Sequence, residues 1–197
     1  MKRLLVLTLL LAALAGPAGD SQAASFAYYA YLDGPSEAVP TPSPGTGYAW
    51  TEYNDVLHTL LVHAEFQDLL GPVTASHIHA ATAVPGVGTA GVATATPTFT
   101  GFPSGVTAGT YDHLFDTTLP ATWNPSYITA HGGTPAGAEA AFVASLAAGT
   151  SYFNIHTQLY PGGEIRGFLH AVPDSPTLGL MAVGLLGLLA TRQRARG

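Results

Sequence analysis

The sequence predicts an all-β domain, an antiparallel sandwich or barrel carrying one short helix. Three observations predict it. Gly and Pro are frequent, 23 and 15 in 197 residues, and they cut the chain into short segments. Those segments are rich in β-branched and aromatic residues, the types that fit a pleated, half-buried surface. A single stretch carries helix caps and helical spacing of its apolar residues.

The elements follow in order. Phe26-Ala-Tyr28-Tyr29-Ala-Tyr31-Leu32 reads as a first strand closed by Asp33-Gly34-Pro35. The run Val39-Pro-Thr-Pro-Ser-Pro44-Gly-Thr-Gly47 is a loop, because proline cannot sit in a central strand. Tyr48 to Tyr53 gives a second strand and Val56 to Phe66 a third, with Asn54-Asp55 between them at hairpin spacing. After Gly71-Pro72, the piece Val73 to Ala80 is extended. Val84 to Gly91 is a loop, Val92 to Phe102 reads as a strand of small and β-branched residues, and Val106 to Leu119 alternates turn and strand signals. Thr134-Pro135 then offers an N-cap and a first-position proline, with Gly149 past the end. Phe142, Val143 and Leu146 fall on one face of that helix. Tyr152 to Leu169 forms a hairpin across Pro161-Gly162-Gly163.

The two ends carry addresses rather than core. Met1-Lys2-Arg3 precedes an apolar run from Leu4 to Ala15, and small residues follow near Ser21-Gln22-Ala23. This is the pattern of a secretory signal peptide over residues 1–23, cut after Ala23. At the other end an apolar segment, 177–191, leads to Arg192, Arg194 and Arg196. Arginines on one side of a spanning helix stay cytoplasmic, so the preceding domain lies outside the inner membrane. The tail resembles the PEP-CTERM sorting signals, with Val172-Pro173-Asp174-Ser175 in the place of the short motif. That resemblance implies an exosortase-type processing enzyme as partner and a transient membrane anchor through the C-terminal helix. It also implies delivery to the cell surface or extracellular matrix of a Gram-negative-type bacterium.

Between the signals, residues 26–170 leave roughly 150 residues with the signals' margins, the size of one domain. The chain has no cysteine, so an exported domain of this length relies on its core rather than on disulfides. Lys2 is the one lysine, and Arg166 the one arginine between the two signals. With no basic patch to neutralise phosphates, nucleic-acid binding is excluded. No Gly-x-Ser-x-Gly elbow and no acid pair suited to glycoside chemistry is present, and nucleophilic catalysis is not expected.

Three motifs together carry a family resemblance. They are Leu32-Asp-Gly34-Pro-Ser-Glu37-Ala-Val-Pro40, Ser76-His77-Ile78-His79, and Tyr152-Phe-Asn154-Ile-His156-Thr157 with Pro161-Gly-Gly163-Glu164-Ile-Arg166-Gly167. In this order, over about Phe26 to Leu169, the chain resembles the CHRD domain family, named for chordin. The family's Gly-Pro after the histidine motif is replaced by Ala80-Ala81-Thr82, and a long insertion lies between Gly91 and Gly149. The resemblance implies an immunoglobulin-like or superoxide-dismutase-like β domain with an extracellular, non-enzymatic binding or matrix role, its partner a protein or polysaccharide. It also marks Asn154, Glu164 and Arg166 as a structural signature.

Residues i and i+2 of a strand face the same way, so His77 and His79 present two imidazoles side by side. His156, in the other motif, can supply a third nitrogen and Glu164 a further ligand. Such donors suit copper or zinc. The arrangement is similar to copper-zinc superoxide dismutase, whose His-x-His binds copper, an analogy of fold alone. The same imidazoles could instead bond to backbone and fix the register of the sandwich. Glu164 and Arg166 share a strand face and could pair. His63 shares a face with Glu65 but not with His58, while His113, His131 and His170 stand isolated in loop-like contexts. Three readings remain open: a binding or matrix domain, a copper- or zinc-binding domain, and a dismutase-like redox enzyme.

Overall fold

The computed structural model describes residues 25–173. The elements are β1 (Ser25–Asp33), β2 (Thr46–Asn54), β3 (Thr59–Gln67), β4 (Val73–His79), β5 (Gly109–Asp116), a 3-10 turn (Pro120–Thr122), α1 (Pro125–Ala130), α2 (Pro135–Ala147), β6 (Tyr152–Thr157), β7 (Ile165–Phe168) and β8 (His170–Ala171). The strand pairings are antiparallel in the order β4-β6-β7-β1-β2-β3-β5, with β8 beside β1. The sheet curls into a half-barrel, which agrees with the predicted all-β sandwich or barrel. The signal peptide, the apolar segment 177–191, Asp174 and Ser175 lie outside the described residues. Val172 and Pro173 lie within them, and the Val172 N–H donates to the Ala27 carbonyl at 2.8 Å. Among the described residues, no helix is long and apolar enough to cross a membrane.

Strand alternation builds the core. Ala30 and Leu32 of β1, Ala49 and Tyr53 of β2, and Leu60, Val62, Ala64 and Phe66 of β3 all turn inward. On that layer α2 lays Ala138, Phe142 and Leu146, and Trp123 meets Phe142 edge-on at 5.3 Å. The expected caps are present. Thr134 Oγ1 accepts from the Gly137 N–H at 3.1 Å, and Gly149 takes a φ of +66° past the end. A second, shorter helix, α1, precedes it with Asn124 as its N-cap and Pro125 at its first position. From the inner face of α2, Glu139 accepts from Tyr53 Oη at 2.8 Å and Thr117 Oγ1 at 2.6 Å, and bonds His58 Nδ1 at 3.0 Å. These bonds fasten the helix to β2 and to the ends of β3 and β5.

Two local expectations are corrected. The β2–β3 connection runs from Asp55 to His58 rather than over two residues. Asn54 Oδ1 accepts from the N–H groups of Val56 and Leu57, a side-chain turn that lengthens the loop. The segment 92–102 is not a strand. Pro97 and Pro103 remove the N–H donors that a ladder needs, and only single bridges form, His79 to Val92 and Thr94 to Trp123. The segment instead runs as an irregular strap along the outer edge of β4. The Ala93 N–H bonds to the Ile78 carbonyl, the Phe99 N–H to Ser76, and the Gly105 N–H to Val73. Phe99 pins the strap by packing on Phe115 and Phe153 at 5.5 and 5.8 Å. An edge strand that would otherwise expose unpaired backbone is thereby covered.

Candidate metal centre

The pairing of β4 with β6 decides what comes together. Ile78, Phe153 and Ile155 point into the core, so their neighbours point to the opposite face. Across the two strands His79 stands opposite Tyr152, His77 opposite Asn154, and Ala75 opposite His156. On the next strand Phe168 lies opposite Tyr152 and Arg166 opposite Asn154. Three histidines, a tyrosine, an asparagine and an arginine therefore share one face of three adjacent strands. The strap, the 34–44 loop and the Pro-Gly-Gly turn cover it.

His77, His79 and His156 converge. Their ring centroids are 5.3 to 5.8 Å apart, and one ligating nitrogen of each lies within 4.8 Å of the others. The opposite nitrogen of each ring meets a carbonyl oxygen. His77 Nε2 bonds Pro97 O at 2.6 Å, His79 Nδ1 bonds Ala90 O at 2.9 Å, and His156 Nδ1 bonds Pro161 O at 2.9 Å. A carbonyl only accepts, so these nitrogens carry the proton. That leaves a lone pair on His77 Nδ1, His79 Nε2 and His156 Nε2, the three ring nitrogens that are buried without a partner. Orientation of a ring by a bond to its distal N–H is how metal-binding histidines are held.

The electrostatics keep all three rings neutral. Burial pushes His77 and His79 down to about 4, against the bonds to Pro97 and Ala90, and the neighbouring imidazoles push in the same direction. Burial also lowers His156, with the bond to Pro161 opposing it. Neutral imidazoles whose unprotonated nitrogens are gathered this closely repel one another and lack hydrogen-bond donors. A cation placed between them relieves both deficits.

The other predicted members take different places. Glu164 is not a ligand of this cluster. Its Oε1 accepts from Ser43 Oγ at 2.6 Å and the Leu70 N–H at 2.5 Å, and its Oε2 from Thr157 Oγ1 at 2.6 Å and the Gly71 N–H at 3.1 Å. Nor does it pair with Arg166. That guanidinium donates to the carbonyls of Ser36 and Gly88, lies over the Tyr152 ring at 4.9 Å, and approaches Glu37 Oε2 at 3.9 Å. Tyr152 in turn stacks flat on His79, 4.7 Å centroid to centroid. Asn154 is buried beside Glu37, and Gly163 sits over both with a φ of +127°. A Cβ on Gly163 would meet Asn154 Oδ1 and Glu37 Oε1 at 2.6 Å, so the second glycine of the turn is required.

The remaining histidines have ordinary partners. His63 bonds Asp112 at 2.7 Å and reaches Glu65 at 3.4 Å, while His131 closes α1 on the Tyr127 carbonyl. His113 and His170 lie on β5 and β8, not in loops. Residues the sequence reading did not single out complete the site: Glu37, Tyr152 and the carbonyls of Ala90, Pro97 and Pro161. Carbonyl partners leave no trace in residue identity. Glu37 was visible only as one letter of the first motif.

Glu37 yields a pH prediction. Burial pushes its carboxyl up to about 7, against the pull of Arg166 and of hydrogen bonds from Ala38 and Asn154. The folded protein therefore holds this proton more tightly than the unfolded chain. The resulting stability is full below the usual 4.5 and is lost as pH rises through about 7. Glu37→Gln, which cannot ionise, should flatten this limb and raise the melting temperature at pH 8 relative to pH 5, by about 2–4 °C per kcal/mol recovered. Thermal melts at the two pH values check it, and an unchanged slope in the variant refutes it.

Comparison with protein-family models matches residues 28–169 to the CHRD domain. No curated protein and no solved structure matches the chain. The match runs from within β1 to just past the end of β7, including all three histidines and the Glu37–Arg166 couple, and the chain belongs to the CHRD domain family, an extracellular-type domain.

Proposed function

We propose that this is an exported, surface-sorted protein whose CHRD domain binds a copper or zinc ion through His77, His79 and His156, and that it serves as a non-enzymatic binding or matrix component. One observation carries the reading. Three buried ring nitrogens without partners face one another, while the distal nitrogen of each ring is tied to a backbone carbonyl. A purely structural role for the histidines would satisfy both nitrogens of each ring, since an unmet buried acceptor is costly. Metal binding at the cell surface, after processing by an exosortase-type enzyme, would complete these rings outside the cytoplasm. A redox enzyme would need an accessible coordination position, and the burial of all three donor atoms argues against that reading.

The test is calorimetric titration of the full-length chain with copper and with zinc. Loss of a residue that merely orients a ligand typically costs 10–100-fold in metal affinity, so losing the ligand itself in His156→Ala should cost more than about 100-fold. Circular dichroism on the same samples monitors the fold, and His156, less buried than His77 and His79, is the mildest of the three truncations. Unchanged affinity in a folded His156→Ala protein would remove the reading.

A further inference from the structure

The donor set also bears on which ion is bound. Resting on the metal-binding reading above, we infer that the centre is selective for monovalent copper, held by His77 Nδ1, His79 Nε2 and His156 Nε2 as a three-coordinate site.

Four features of the cluster lead there. The first is charge. All three donors are neutral imidazoles, and among the described residues no carboxylate joins the group. The chain has no cysteine, so no thiolate is available either. The nearby ionic groups behind Tyr152 are Arg166 and Glu37, a couple that brings no net negative charge. The Born cost of removing an ion from water rises with the square of its charge, so a dication here costs about four times as much as a monocation.

The second feature is coordination number. Zinc sites are almost always tetrahedral, and where the protein supplies three ligands the fourth position holds water or substrate. Here the three donor nitrogens are buried, and the strap and the Pro-Gly-Gly turn brace the rings of His77 and His156 from behind. Among the described residues no fourth side chain joins the three histidines as a ligand. Copper(I) has the same filled d shell as zinc(II) but half its charge, and is satisfied by three donors in a plane.

Geometry is the third. The nitrogens lie at the corners of a triangle no more than 4.8 Å on a side. Drawing them in by a fraction of an ångström each brings them to ordinary metal–nitrogen distance around a central ion. The rings sit on two paired strands, with carbonyls behind them, and this frame resists the larger rearrangement that a square-planar copper(II) centre requires.

The fourth is the setting of His79. Its ring is stacked flat on Tyr152, and the Arg166 guanidinium lies over that same tyrosine ring, 4.9 Å from its centroid. A positive group behind a ligand opposes added charge, and it opposes a dication twice as strongly as a monocation.

The experiment uses the full-length protein in detergent under anaerobic conditions, with copper(I), copper(II) and zinc(II) added singly and in equimolar competition. X-ray absorption reports coordination number and oxidation state, and electron paramagnetic resonance detects any copper(II). The expected result is one copper(I) per chain with three nitrogen neighbours, no paramagnetic signal, and at least a 100-fold preference over zinc. The preference should vanish in His156→Ala, with circular dichroism unchanged. A copper(II) spectrum with nitrogen couplings, or zinc retained in competition, would overturn the selectivity while leaving the metal-binding reading in place. A folded protein that binds none of the three ions would overturn both.

Discussion

Glu164→Ala should leave the domain unfolded or close to it at room temperature. The carboxylate is fully buried and accepts four hydrogen bonds, from two hydroxyls and two backbone N–H groups. Truncation strands all four donors. Each unsatisfied buried donor costs about 1–3 kcal/mol, so even with water entering the cavity the loss should be at least about 4 kcal/mol. Domains of this size are stable by about 5–15 kcal/mol in total. Three chain segments lose their common anchor at once: the 41–45 loop, Leu70-Gly71, and the end of β6 at Thr157, next to His156. Thr41 Oγ1 also bonds the Glu164 carbonyl at 2.9 Å, so the residue grips the loop through backbone and side chain.

Glu164→Gln separates acceptor chemistry from volume. A backbone N–H faces each carboxylate oxygen, Leu70 at Oε1 and Gly71 at Oε2. Whichever way a glutamine amide turns, its NH2 group confronts a donor that cannot reverse. The isostere should therefore cost more than about 2 kcal/mol, measured by urea unfolding followed through the buried Trp123. Burial raises the Glu164 carboxyl, but the bonds from Ser43, Thr157, Leu70 and Gly71 outweigh it and bring the group below its usual 4.5. The stability it supplies is present above that pH and is lost as pH falls through the lowered value. Wild type should show this acid limb and Glu164→Gln should lack it. A glutamine variant within 1 kcal/mol of wild type, on the scale of an ordinary surface change, would contradict the anchor role.

The contrast between Glu164 and the histidines shows how far the sequence reaches. That His77 and His79 share a face follows from a period of two, and the hairpin carrying His156 was visible in its Pro-Gly-Gly turn. What joins them is the β4–β6 pairing, two segments more than seventy residues apart, and only the family resemblance connected those motifs. Glu164, two residues before Arg166 in the same signature, looked like a ligand or an ion-pair partner. The chain turns between Gly163 and Ile165, however, and sends the carboxylate toward Ser43, Leu70 and Gly71 while Arg166 meets Glu37. Side-chain direction at a turn is not encoded by strand alternation. The strap from Val92 failed as a strand for a legible reason, its prolines, although its small and β-branched residues pointed the other way.

Gly167→Ala is expected to destabilise the half-barrel by at least about 3 kcal/mol, the upper end of ordinary overpacking. Its φ is not in the left-handed region, so the requirement is for space rather than for backbone freedom. A Cβ built there would lie 2.1 Å from the Tyr31 carbonyl oxygen and 2.9 Å from its carbon, with Leu32 Cδ2 at 3.2 Å. A flexible side-chain end could swing aside, but a carbonyl within β1 cannot, because Tyr31 is registered against Tyr48 of β2. The strand must therefore shift as a unit, at the seam where the β4-β6-β7 group meets β1-β2-β3-β5. Arg166 and Asp33 are the paired residues of that seam, so its opening also loosens the Arg166 side chain from Ser36 and Glu37. Gly162→Ala supplies the comparison. It has no atom within 4 Å of the added methyl and a φ outside the left-handed region, and it should change stability by less than about 0.5 kcal/mol. Chemical denaturation of the two variants in parallel distinguishes the explanations. Equal, small effects would mean that β7 and β1 have room to part, and the close approach of the two strands would then not be what holds the histidine-bearing half of the sheet to the rest.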